Sequence, residues 1–300
     1  MSFARTFLKG IVDYAGLFPP ATQGMADAVR TYAEYRSGED RALLGRFVVP
    51  IARIDKFSAA AESVLPRGDG AEPWRVSVIA GGDLSAVREK SLHFNCSHWQ
   101  GSDVGHAICD SIELPVRSAG EIAVALSSFP TFFRIFLEIP VDTDPERLIA
   151  SLAGTRGGAK IRTGGTVESA IPDSATVLRF IKACHRHGVP FKATAGLHHA
   201  IRGLYPLTYE PNAPRALMFG YLNVFLAAAA VEADAPDAYV LDILNETDAS
   251  AFLFTEKAVW YRDLVMGGGQ FAAVRERVAL SFGSCSFTEP VSEAKTLGII

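Results

Sequence analysis

Nothing in this 300-residue sequence divides it into parts. No stretch is Ser/Gly-rich, Pro-rich or a block of like charge, and the glycines and prolines are scattered between periodic segments, as punctuation is. A linker is therefore absent, and a chain with 49% hydrophobic content is long enough to bury one large core. There is no charge signature either. The formal net charge is −4, and no basic stripe carries interleaved aromatics, so nucleic acid is excluded as an expected partner. Long apolar runs are also missing. The longest, "ALMFGYLNVFLAAAAV" at 216–231, is interrupted by Gly220 and Asn223 and falls short of a membrane span, so it reads as a buried helix. The opening "MSFARTFLKGIVDYAGLFPP" has a short apolar stretch broken by Asp13 and does not read as a secretory signal. Cys96, Cys109, Cys184 and Cys285 lie far apart with no CxxC pair, which predicts reduced thiols in a cytoplasmic protein.

What the chain does have is alternation. Apolar strand-like runs at 45–53, 75–82, 111–116, 133–140, 158–165 and 190–199 are each followed by helix-like stretches, the spacing of βα units. Several of those helices open on a capping residue: Asp83, Ser118, Asp144 ahead of Pro145, and Asp173 or Ser174. The near-continuous apolar character of the strands indicates a parallel sheet covered on both faces. "GIVDYAG" (10–16) followed by "GMADAVRTYAEY" supplies an earlier unit, placed first. For the eighth strand the sequence offers "AYVLDIL" (238–244) or, preferably, "AFLFTEKAVWY" (251–261), which reads as a short strand or hairpin. The expected fold is thus α/β, a single-domain (β/α)8 TIM-like barrel over residues 1–300 with a C-terminal extension from about 265. An open doubly wound parallel sheet is the alternative, weakened because no GxGxxG or P-loop glycine pattern follows an early strand.

In a barrel of this kind catalytic groups sit at the carboxyl ends of strands. Four successive runs place an ionisable residue there: Glu113 in "IELPV", Glu138 in "FLEIP", Lys160 in "AKIRTGG" and Lys192 in "FKATAG". Burying several charges is costly unless a site uses them, and structural ion pairs are the competing reading. Two lysines on adjacent strands disfavour each other's protonation, and a neutral amine attacks a carbonyl to form an iminium, an electron sink for making or breaking a carbon–carbon bond. A neighbouring carboxylate then shuttles protons.

The stretch from "AKIRTGG" to "PFKATAG" is similar in order, spacing and residue types to the K-T-S-T-G and K-A-S-G-G strand ends of deoxyribose-phosphate aldolase and related Schiff-base aldolases. The resemblance is local, covering about residues 158–200. It implies a (β/α)8 barrel with the two lysines on the sixth and seventh strands, Lys160 forming the iminium and Lys192 lowering its proton affinity, with no cofactor. Three positions depart from the pattern: Arg162 stands for a small hydroxyl residue, Gly165 follows Gly164, and "LHHAIR" replaces a glycine-rich phosphate turn. Arg162 grips a phosphate or a carboxylate equally well in a forked geometry. The expected substrate is accordingly a small anionic carbonyl compound, bound by Arg162, Thr163, Gly164, Gly165, Thr194, His198 and Asp13.

Two other functions compete with this one. Glu113, Glu138 and His198 form an oxygen-and-nitrogen set for a divalent metal ion, which would suit a metal-dependent lyase or isomerase that stabilises an enolate. His198 and His199 as neighbours lack the usual H-x-H or H-x3-H metal spacing. A barrel that binds a ligand or protein without chemistry is the remaining class, and self-association stays open. Finally, the loop "DYAGLFPPA" (13–21) carries Phe18 and paired prolines suited to lining a pocket, while Cys285 has no definable histidine partner in sequence and is not read as a nucleophile.

Overall fold

The computed structural model describes residues 7–99 and 102–300, so the first six residues of the N-terminal stretch considered as a leader lie outside the described residues. Eight parallel strands close into a barrel in the order β1, β13, β7, β6, β5, β4, β3, β2. The strands are β1 (Val12–Tyr14), β2 (Leu44–Pro50), β3 (Trp74–Ile79), β4 (Ala107–Pro115), β5 (Arg134–Glu138), β6 (Gly157–Arg162), β7 (Phe191–Thr194) and β13 (Ala279–Ser284). Helices α1 (Met25–Ser37), α2 (Ile54–Ala61), α3 (Leu84–Ser97), α4 (Ala119–Ser128), α5 (Glu146–Ala150) and α6 (Ser174–His187) intervene between successive strands. This is the (β/α)8 fold the alternation implies, and the open sheet is excluded by closure between β1 and β2 and between β1 and β13.

Local chemistry starts these helices. The carboxylates of Asp83 and Asp173 and the hydroxyl of Ser118 accept hydrogen bonds from Ser85, Thr176 and Glu121 backbone N–H groups, which the first turn leaves without a partner. Helix α7 (Tyr221–Glu232) is buried on every side except at Glu232, as its largely apolar sequence requires; its one polar interior residue, Asn223, donates to the Ile243 and Glu246 carbonyls, and α8 (Asp237–Asn245) packs on it.

Two expectations are corrected. The eighth barrel strand is Ala279–Ser284, not the 251–261 segment, and 238–244 lies within helix α8. The 251–261 segment does form a hairpin, β10 (Phe252–Phe254) with β11 (Ala258–Tyr261), extended by β12 (Leu264–Gly267) into a small antiparallel sheet outside the barrel. Its alternating apolar pattern is that of a sheet with one buried face, whereas a barrel strand beside a polar site needs small inward residues. It follows that the chain beyond residue 265 is no extension: α9 (Gly268–Arg277) carries it to β13, and α10 (Thr288–Thr296) ends it.

Inside the barrel, Arg46 and Arg75 both grip Asp110 at the amino-terminal end of the strands. The Phe136 ring lies under the charged strand ends, its centroid 5.5 Å from Lys192 Nζ. A Cβ built on Gly158 would stand 2.8 Å from that ring and 2.9 Å from the Pro190 carbonyl, so glycine at 158 is what allows Phe136 into the barrel. Gly158→Ala should destabilise the fold by roughly 1–3 kcal/mol, the usual cost of overpacking. Equilibrium denaturation in urea measures it, and an unchanged midpoint would mean that the ring has room to move.

Candidate active site

Parallel pairing sets Glu138 beside Lys160 and Lys160 beside Lys192, with Ser281 next in line on β13. Side chains at paired positions project to the same face of the sheet, here into the barrel. A cavity of about 330 Å³ opens at the carboxyl ends of the strands, and Glu113, Glu138, Lys160 and Lys192 all line it.

The charges alternate in a chain. Lys192 Nζ donates to Asp13 Oδ2 at 2.6 Å and Glu113 Oε1 at 2.7 Å. Lys160 Nζ lies 3.0 Å from Glu113 Oε2 and 2.9 Å from Glu138 Oε2. Arg162 Nε donates to Glu138 Oε1 at 3.2 Å, and its side chain is half exposed. Three carboxylates and three cations thus run from the closed floor to the open rim, each interior member touching two of opposite sign. Serine hydroxyls complete the buried end: Ser77 donates to Glu113 Oε1 at 2.6 Å and Ser281 to Asp13 Oδ2 at 2.8 Å, and the Arg46 backbone N–H donates to Asp13 Oδ1 at 2.8 Å.

Those contacts fix the protonation states. Burial pushes the Glu113 carboxyl up, but Lys192 and Lys160 on either side, with the Ser77 hydroxyl, more than offset this and hold it well below the usual carboxylate range. Burial also opposes the charge on Lys192, and Asp13 and Glu113 overcome it, raising its proton affinity above that of an ordinary lysine. Lys192 is therefore a fixed cation, held by carboxylates rather than weakened by its neighbour. Glu138 follows the same logic nearer the rim: burial raises it, Lys160 and then Arg162 bring it below its ordinary value.

The other expected binding residues divide. Thr194, His198, Arg162 and Gly165 line the cavity. Asp13 is beneath it as a partner of Lys192, and Thr163 is a brace whose hydroxyl donates to the Ala195 carbonyl at 2.8 Å. Gly164 packs on Gly196: a Cβ on either would come within 3.0 Å of the other's Cα, so both glycines serve the close approach of the β6 and β7 loops. His198 and His199 separate, as consecutive residues do. His199 stacks on Tyr205 and its Nδ1 pairs with Glu293 Oε1 at 2.6 Å.

His198 Nδ1 lies 3.1 Å from Ser284 Oγ and 3.7 Å from Cys285 Sγ. Burial, with a smaller effect from His199, lowers His198 to about 4, and burial pushes the Cys285 thiol up, so the two are neutral neighbours rather than a thiolate–imidazolium pair. Sequence reading missed this contact because the two residues are far apart along the chain. It also missed Ser77 and Ser281, although a lone serine at the inward position of an apolar strand is the available signal.

Two insertions roof the cavity. Phe18, Pro19 and Pro20 from the loop after β1 form one wall. Leu207 and Met218, from and beside the β8 (Gly203–Pro206) and β9 (Arg215–Met218) hairpin that follows β7, form another. Among the described residues, no group of three or more His, Cys, Asp and Glu side chains is placed to hold a metal ion. Lys160 lies between Glu113 and Glu138, and His198 pairs with Ser284, so the three residues weighed as metal ligands are engaged elsewhere. No helix among the described residues is long and apolar enough to cross a membrane. Searches of protein-family models, curated proteins and solved structures find no match to this chain.

Proposed function

We propose that the protein is a carbon–carbon lyase of aldolase type, acting on a small anionic carbonyl compound through an iminium on Lys160. One observation carries this reading: Lys160 and Lys192 stand in register on adjacent strands, with Lys192 enclosed by Asp13 and Glu113 and Lys160 at the cavity floor between Glu113 and Glu138. That arrangement divides the roles. Lys192, saturated by two carboxylates, stays charged and supplies a positive field beside Lys160. Lys160 has in Glu138 a partner close enough to the rim to exchange protons with solvent or substrate.

Once Lys160 has passed a proton to Glu138, its amine attacks the substrate carbonyl carbon. The carbinolamine loses water, with Glu138 returning the proton to the departing hydroxyl, and an iminium remains. Glu138, again a carboxylate, takes the proton of the hydroxyl on the β carbon as the bond between the carbons α and β to the iminium breaks and sends its electron pair towards the iminium nitrogen, leaving an enamine and a free carbonyl product. The enamine regains that proton at its α carbon, and water hydrolyses the resulting iminium to release the second product and the Lys160 amine. The apolar roof keeps bulk water from competing. A metal-dependent enolate mechanism is less well supported, since Glu113 and Glu138 would both have to release Lys160 to bind an ion.

Incubation with a panel of small aldehydes and 2-oxo acids in the presence of borohydride tests the reading. A mass gain of one reduced adduct, mapped to Lys160 by peptide fragmentation, is the expected outcome. An adduct confined to surface lysines would remove the proposal.

A further inference from the structure

Glu138 and Arg162 belong to two depressions at once. Besides lining the main cavity, they border an open depression of about 290 Å³ at the carboxyl ends of β4, β5 and β6, where Arg117 and Asp142 complete the charged lining. The Glu138–Arg162 ion pair is thus the partition between the space above Lys160 and a second space with two arginines. The Arg117 guanidinium forms no ion pair among the described residues, although its backbone N–H donates to Glu121 Oε2 at 2.6 Å, while Arg162 is half exposed and committed to Glu138 by one 3.2 Å contact.

We propose that this second depression receives the carboxylate of the substrate, an oxo acid, and that seating it on Arg162 releases Glu138 to take the proton of Lys160. The second half of this statement rests on the iminium reading. The first half does not.

Charge counting favours a carboxylate over a phosphate. With Glu138 protonated, Arg117, Arg162 and Asp142 leave the depression with one net positive charge, which a monoanion balances and a phosphate dianion overshoots. The usual phosphate station of such barrels, at the loops after strands seven and eight, is taken. Glu289 stands in the first turn of α10, and the first N–H groups of α7, at Tyr221 and Leu222, already donate to the carbonyls of His199 and Ala200. At the sixth strand's helix, the Asp173 carboxylate fills the N-terminus.

Competition for Arg162 then explains why Glu138 is shared. In the free protein Lys160 and Arg162 together, against burial, hold Glu138 below its ordinary value. The groups that face it are Lys160 and Arg162 on β6, Glu113 on β4 acting through Lys160, and Arg117 and Asp142 in the depression. An anion on Arg162 cancels one of the two cations and leaves Lys160 as the only close one. Glu138 becomes a stronger base only when the right substrate is present.

The test compares borohydride trapping of three carbonyl compounds at pH 7: 4-oxobutanoate, butanal and glyceraldehyde 3-phosphate. The parent should trap 4-oxobutanoate about tenfold faster than either of the others, the factor that one pKa unit at Glu138 supplies. Arg162→Leu should erase that preference from both sides, slowing 4-oxobutanoate and accelerating butanal, and Arg117→Ala should reduce it several-fold. Faster trapping of the phosphate ester, or equal slowing of all three compounds in Arg162→Leu, overturns the proposal. A carbon-13 NMR titration of the Glu138 carboxyl with butyrate or inorganic phosphate reads the subsite without any iminium. Butyrate should raise its midpoint by about one unit and phosphate should not. If the parent traps nothing but butyrate shifts Glu138, the iminium reading fails and the carboxylate subsite stands; if butyrate leaves Glu138 unmoved, the subsite is lost.

Discussion

Lys160→Met should abolish the borohydride-dependent mass gain with every carbonyl compound that labels the parent, while the variant remains folded. Methionine fills a similar volume without the amine, so the loss reads chemistry rather than packing. Lys192→Met should behave differently: the nucleophile survives, but the fixed positive charge beside Lys160 is gone, and Glu113 is no longer shared between two lysines. Trapping should therefore persist and move to higher pH. Far-UV circular dichroism on both variants separates loss of fold from loss of reaction. Labelling in Lys160→Met as rapid as in the parent would assign the iminium to another residue, and a Lys192→Met profile that stays in place would show that Lys192 does not act on Lys160.

The second large effect is on stability. Glu113 is 2% exposed and accepts from two buried lysines, so Glu113→Gln leaves both with one charged partner fewer. Removing one member of a buried ion pair typically costs about 3–5 kcal/mol, and because Lys192 keeps Asp13 and Lys160 keeps Glu138 the lower end of that range applies. Urea denaturation should show a loss of that size. The double variant Glu113→Leu with Lys160→Met should recover part of it, since it removes opposite charges together and leaves the Asp13–Lys192 and Glu138–Arg162 pairs intact. A single variant as stable as the parent would mean that water reaches the floor of the barrel.

The pH dependence follows from the same contacts. Glu113 is depressed, so its contribution is complete above the unfolded carboxyl value near ~4.3 and is lost as pH falls from there through the folded one. Lys192 is raised, so its contribution is complete below the unfolded lysine value near ~10.4 and is lost as pH climbs past it. The network should hold at full strength between about pH 5 and 10.

Local sequence pattern is enough to specify the barrel and the four charged strand ends. Alternating strand and helix signals with capped helix starts leave few topologies, and the two-residue period of a strand fixes which side chains share a face. Glu113, Glu138, Lys160 and Lys192 could be assigned to one cavity on that basis alone. What the period cannot supply is the identity of neighbours across the barrel. Asp13 reaches Lys192 from β1 because closure brings the first strand within two places of the seventh, and nothing local at residue 13 announces that contact. The eighth strand was illegible for a related reason. "ALSFGS" is short and rich in small residues because Ser281 must bond Asp13 and Gly283 must leave the cavity open, and both needs are set by other strands. Local pattern favoured the more apolar 251–261 segment, whose alternation in fact serves a separate sheet. Tertiary structure also decided the charge states: two adjacent lysines by themselves imply mutual weakening, and only the carboxylates folded around Lys192 show that one of them is held as a cation.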